Sequence, residues 1–438
     1  MKKILPTFLL LILCVGVLTM GIYAVAPTRN TVDGTINIVA FNGAPVSLEI
    51  IKDGETIQEV TNCKAAQPIS FGEIDLPTTL GSWQDCPEVR FSIKIKNEGN
   101  SAIGAFFTDR STILGDGELA DGTDDIILSK TFKQDSTTIA QMYLSSYTPI
   151  SVGDTEEMAI SFVLRALPTE AQSYNLGLNL YIEEYVASTD KTKVLYKVAE
   201  GTTSVDAASE ELSGKIVALP KSVTSIYTYG GCPKMINVPN NNSIQVDFSQ
   251  AGFNGIFIPE NSTLNHYTAG NDVGATNTAF VSYDNPSFCN DNQYAIYNKD
   301  KTILQYLAPI DTYIAPSTVT SLFGGVCSFA SNCDIYDFSK CDKMEEFNLY
   351  QIGAYDLSSY EIYFNSNIKT ISSDVWYNYD NGTITLNFAG TNAPTIGELF
   401  SAKYLIKVPT GSLSAYQTAF NVNNASAVTA GKITFQEV

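Results

Sequence analysis

From residue 35 to about residue 200 the chain repeatedly sets an apolar side chain beside a polar one. The cleanest stretch is 89–96, where Val89, Phe91, Ile93 and Ile95 fall on one side and Arg90, Ser92, Lys94 and Lys96 on the other. A period of two belongs to a strand with one face in a core and the other in water. The alternation returns at 158–164 and at Leu176, Leu178, Leu180 and Ile182, and Asp53-Gly54 separates two such runs, 46–51 and 56–60, as a hairpin turn. About seven to nine strands joined by turn residues predict an antiparallel β-sandwich, jelly-roll or immunoglobulin-like, over residues 27–201.

Residues 202–213 turn to Ser, Thr, Ala, Asp and Glu without apolar periodicity, the composition of a linker. A different pattern fills 214–438. "VALPKSVTSI" at 217–226, "IFIPENSTL" at 256–264 and "YIAPSTVTSL" at 313–322 share alternating apolar residues, a proline and then Ser, Thr or Asn, while "IYFNSNIKTI" at 362–371 carries Asn365 in the proline's place. Each unit reads as a short strand that enters a turn and bends into another layer. Units spaced by roughly 40 to 50 residues, two coils each, predict a solenoid, because one coil cannot cover its own apolar face and must stack on the next.

The N-terminal segment, residues 1–26, places two lysines before an apolar run and ends on Ala24 and Ala26 in an A-x-A pattern. It reads as a secretory signal peptide; a retained membrane anchor is the rival reading, opposed by Pro6 and the glycines within the run. No second apolar span follows. Removing Lys2 and Lys3 leaves 24 basic against 46 acidic residues, a formal charge of −22. So acidic a chain excludes a nucleic-acid partner held by basic groups. Export invites a disulfide reading of the cysteines, and Cys63 with Cys86 is the expected bridge, since both flank the loop before the strand at 89–96. Cys232, Cys289, Cys327, Cys333 and Cys341 read equally as small apolar fillers, and none has the C-x-x-C spacing of a zinc site.

The repeat units resemble the BspA-type leucine-rich-repeat family of bacterial surface proteins over about 214–438. The most specific pieces are "DNPSFCNDNQYAIYNKDKTIL" at 284–304, similar to the family's strand-turn insert, and "LIKVPTGSLSAYQTAF" at 405–420, similar to its terminal cap. Leucines are sparse, so repeat count and curvature do not follow from the likeness. The N-terminal half resembles the TasA/camelysin family of exported β-sandwich proteins through "NTVDGTINI" and "FSIKIKNEGNSAIGAFF" at 91–107. Some members of that family are fibre subunits and others have been classed as metalloproteases.

Candidate chemistry is thin. His266 is the only histidine, it lies in the polar stretch "NSTLNHYTAGND", and neither an HExxH nor a G-x-S-x-G motif is present. The adjacent carboxylates Glu183-Glu184 and Glu345-Glu346 are available for glycoside hydrolysis but read as solvated. Asp116, Glu118, Asp121, Asp124 and Asp125 in "GDGELADGTDD" suit a hard cation such as Ca²⁺, although the spacing is not that of an EF-hand. Tyrosines crowd the repeat half. Tyr313, Tyr350, Tyr360, Tyr363 and Tyr377 are the expected aromatic binding surface, since tyrosine offers rigid contact area with a polar tip. The resulting expectation is a secreted or cell-surface, non-enzymatic adhesion or binding protein whose solenoid meets a protein or glycan partner. A matrix or fibre subunit that self-associates through the sandwich is the alternative, and a secreted hydrolase is the third class.

Overall fold

The computed structural model describes residues 31–438 apart from 41–44, 64–66, 76–87, 110–125, 167–172, 191–192, 207–211, 230–233, 242–244, 251–254, 263–277, 292–294, 308–309, 324–332, 353–358, 374–381 and 400–402. The fold is mainly β. Twelve strands come first: β1 (Thr31–Ala40), β2 (Val46–Lys52), β3 (Glu55–Cys63), β4 (Gln67–Asp75), β5 (Glu88–Asn97), β6 (Ile103–Asp109), β7 (Ser129–Gln134), β8 (Thr137–Leu144), β9 (Thr148–Ile150), β10 (Thr155–Leu164), β11 (Ser173–Asn175) and β12 (Leu178–Glu184). They form two six-stranded sheets. One runs β3-β2-β5-β10-β8-β7 and is antiparallel throughout. In the other, β4 runs antiparallel along one edge of β1, and β11 and β12 run parallel along the opposite edge. The expected antiparallel sandwich is therefore mixed at β1. Ile36, Leu178 and Leu180 of one sheet and Ile50, Phe91, Ile93 and Ile160 of the other share a single apolar core. Asp53 and Gly54 both take positive φ, 49° and 89°, as a two-residue hairpin of the primed type requires.

The second half is a stack of parallel strands in two runs. Leu195–Lys197, Ile216–Ala218, Met235–Asn237, Gly255–Ile258 and Thr278–Val281 form the first, with Ser204–Asp206, Ser225–Tyr229 and Gln245–Gln250 in a second ladder beside it. These ladders begin at Leu195, inside the segment read as sandwich, and pass through the segment read as linker. The first coil lacks the proline-led signature, so its strands carried no periodic signal. An antiparallel meander, Phe288–Asp291, Ala295–Asn298 and Ile303–Leu307, then interrupts the stack where the sequence places its insert. Parallel pairing resumes in a six-stranded run: Thr312–Ile314, Ile335–Phe338, Tyr360–Phe364, Thr383–Phe388, Lys403–Val408 and Ile433–Glu437. Each coil advances by about two dozen residues, as in the partners Tyr313, Tyr336 and Ile362. The prolines act as expected: the Pro220, Pro259 and Pro316 carbonyls each accept the amide three residues on, turning the chain out of its strand.

Buried asparagines join one coil to the next. Asn365 donates to the carbonyls of Cys341 (2.6 Å) and Met344 (2.9 Å) in the preceding turn, while its own carbonyl accepts the Asn367 amide. Asn285 serves Pro259 and Ser262 in the same way. The helix α1 (Leu413–Thr429) closes the stack: its buried residues Tyr416, Phe420 and Asn424 lie four apart, and Asn424 bonds both Gly397 and Leu399.

The sandwich and the first run are packed together. Phe106, Tyr147, Ala159 and Tyr181 share a cluster with Leu195, Ile216, Met235 and Phe257. Buried Asn237 accepts the Ser146 amide and donates to the Ser146 carbonyl and the Thr148 hydroxyl. Arg90 and Ser92, expected to face water, are 6% and 2% exposed. Arg90 donates to the Val281 carbonyl and the Asn290 side chain and lies over the Tyr283 ring. Tyr147 fits only because residue 104 is glycine, since a Cβ there would lie 1.7 Å from its hydroxyl. Glu156 is buried at this junction, and burial pushes its carboxyl up to about 8 against the pull of Lys221, with Asp154 and Glu157 adding to the rise.

Asn365→Ala strips two carbonyls of their donor in a dry turn, so it is expected to cost roughly 2–4 kcal/mol. Urea unfolding measures the loss, and hydrogen exchange rises first across the 341–367 segment. A second expectation concerns pH. Folded Glu156 keeps its proton to about pH 8, whereas an ordinary glutamate releases it near 4.5. The folded state thus binds more protons between those values, and stability falls as pH rises from about 4.5 to 8. Glu156→Gln flattens that slope: its Tm exceeds the parent's at pH 8–9 and converges with it near pH 4, as thermal melts across pH will read.

Candidate binding face

Alternation in the C-terminal run sorts its side chains by face. Tyr313, Tyr336, Ile362, Leu386 and Ile406 are in register with one another and buried. The next register position faces out: Asp337, Tyr363, Asn387 and Lys407 form one polar row across four coils, and Ile335, Glu361, Thr385 and Leu405 form the neighbouring row. Parallel pairing places equivalent positions on adjacent strands about 4.8 Å apart, so each row is an evenly spaced comb.

Glu361 is the hub of this face. Its Oε2 accepts hydrogen bonds from the Tyr363 hydroxyl at 2.9 Å and the Asn387 amide at 3.1 Å, with the Lys407 ammonium 3.6 Å away. Partial burial alone raises the Glu361 carboxyl, but these three partners outweigh it and hold the group below its usual range. Burial and the adjacent Glu361 carboxylate push the Tyr363 phenol up. Three strands thus contribute to one bonded group, which fixes the side chains before any partner arrives.

The expected aromatic surface is largely interior. Tyr313 is 2% exposed and shares a hydrogen bond with Tyr297, and Tyr360 is 7% exposed and packs edge-on against Tyr336. Both are corrected from surface to core, because a tyrosine on an inward strand position fills the width between stacked layers while its hydroxyl finds a neighbour. Tyr363 alone of the five is found on the outward face. Tyr350 lies in the 3-10 turn Leu349–Ile352 with its side chain outside the described residues, where Tyr377 also falls. Asp116, Glu118, Asp121, Asp124, Asp125, Cys86 and His266 lie outside them too, and Cys63 is buried at the end of β3. The paired carboxylates are engaged. Glu183 accepts from Tyr147 and is ion-paired with Lys197, and Glu345 is paired with Lys369 at 2.6 Å. Sequence reading missed Glu361, Asn387 and Lys407, which stand far apart in the chain; only the coil register aligns them.

No family model matches the chain, and no curated protein sequence does. Among solved structures, a leucine-rich repeat protein from Eubacterium ventriosum matches at 17% identity, covering 54% of this chain and 74% of its own, with a TM-score of 0.31. The stacked-coil architecture rests on the parallel ladders themselves. Among the described residues no helix is long and apolar enough to cross a membrane.

Tyr363→Phe removes one of the bonds that depress Glu361. Carboxylate NMR is expected to show the Glu361 pKa rising toward its ordinary value. A depressed carboxyl stabilises above that ordinary value and loses the effect as pH falls, so the variant is less stable by about 1 kcal/mol at pH 7 and equal to the parent in acid.

Proposed function

We propose that this chain is an exported, non-enzymatic binding protein that meets a protein or glycan partner through the outward face of its C-terminal stack. The single observation that carries the reading is the Glu361-centred network, a polar surface ordered across consecutive coils. Recognition of a polar partner gains when donors and acceptors are held in place beforehand, because little side-chain freedom is then lost on binding. Acidic Glu361 and Asp337 beside Lys407 present both signs of charge within the same rows, which suits hydroxyl, amide or mixed-charge ligands. The N-terminal lysines, apolar run and A-x-A pattern support export. The engagement of Glu183 and Glu345 by neighbouring groups supports the absence of a carboxylate-pair catalyst.

The test is the full chain on arrays of glycans and extracellular matrix proteins, compared with the Glu361→Ala/Lys407→Ala double variant. Binding that falls by roughly tenfold or more in the variant is the expected result. Binding unchanged by the double substitution overturns this face as the site.

A further inference from the structure

A cavity of about 270 Å³ lies between the sandwich and the first run of coils. Lys94, Thr155, Glu156 and Glu157 line it from the sandwich, and Lys221, Asn240, Glu260 and Asn261 from the coils. Its two cations are already committed. Lys94 Nζ is 2.8 Å from Asp284 and 3.8 Å from Glu260, and Lys221 Nζ is 2.8 Å from Asp154. Glu157 is 5% exposed, and its Oε2 has no hydrogen-bond partner. A buried carboxylate oxygen without a donor carries most of its desolvation cost uncompensated.

We propose that this cavity is a binding site for a small organic ammonium ion, with Glu157 as its principal counter-group. The lining lacks a positive charge and a hydrogen-bond donor at the same place, and an ammonium supplies both. A neutral hydroxyl compound meets only the second need. An anion meets neither and faces Glu156, Glu157 and Glu260 together. Among the described residues no group of three Asp, Glu, His or Cys side chains is arranged to hold a metal, which favours an organic cation over a bare one. The volume falls just below the usual range for drug-sized ligands, so the ligand is small. Burial raises both Glu156 and Glu157, with Lys94 and the Ser282 hydroxyl opposing the rise at Glu157. In the empty site a proton therefore stands in for the missing cation, and an arriving ammonium displaces it to solvent. Because both units line the cavity, occupancy ties the sandwich to the stack and stabilises their junction. The outward face around Glu361 plays no part in it.

The experiment uses the full chain with methylammonium, D-glucosamine, D-glucose and D-glucuronate, and sodium chloride matched for ionic strength. Melting temperature and titration calorimetry at pH 7 in two buffers of different ionisation enthalpy are the readouts. The ammonium probes are expected to raise Tm, with proton release seen as a buffer-dependent heat. Glucose is expected to bind at least about tenfold more weakly than glucosamine, as befits loss of a charge-assisted bond. Glucuronate and sodium chloride are expected to give no shift. Glu157→Gln abolishes the shift without lowering the ligand-free Tm, which separates a lost site from a lost fold. The proposal is overturned if neither ammonium probe stabilises the protein at millimolar concentration, if glucose matches glucosamine, or if Glu157→Gln keeps the shift.

Discussion

Every coil in the second half ends in a turn that the next coil covers, and the turn's carbonyls are thereby cut off from water. They must find donors inside the protein or forfeit the stability that stacking provides. Asn285, Asn365 and Asn424 meet that demand, each reaching back to a turn made more than 20 residues earlier. The consequence is dependence along the axis: a coil is fully satisfied only when its successor is in place. Helix α1 ends the series by supplying both an amide, from Asn424, and a phenol, from Tyr416, which donates to the Gly390 carbonyl.

The same logic joins the two halves. An apolar patch alone would tolerate sliding, since burial is non-directional. Asn237 against the Ser146 backbone, Arg90 against the Val281 carbonyl and Lys197 against Glu183 and the Tyr147 ring each work in one register only. These contacts make the junction specific and hold open the polar cavity beside Glu157. The burial that raises Glu156 and Glu157 is a cost of joining two surfaces where acids outnumber uncommitted cations.

Placing aromatic residues inside and hydrogen-bonding residues outside also decides what the C-terminal face can do. Tyrosines on inward positions span the layer, with phenylalanines such as Phe347, Phe364 and Phe388 in ring contact between them. The outward face is left with short polar side chains whose positions the ladder sets. Its character is that of a fixed hydrogen-bonding template, unlike the adaptable aromatic platform that tyrosine content suggests.

Much of this was written locally in the chain. Alternation located β5, Asp53-Gly54 specified its turn, and the proline-led units marked where strands leave their sheet, because period and backbone freedom belong to neighbouring residues. Helix α1 escaped notice since only a narrow stripe of it is buried, and the first coil since it lacks the proline. Whether a polar residue faces water or another surface was beyond local reading. Arg90 and Ser92 alternate as a wet face should, yet are covered by coils whose contacting residues lie about 190 positions away. The sequence by itself determined strands, turns and the stacking habit. Only the tertiary structure decided which tyrosines are core, which acids are stranded and which residues align across coils, because burial and register arise between segments that no local pattern connects.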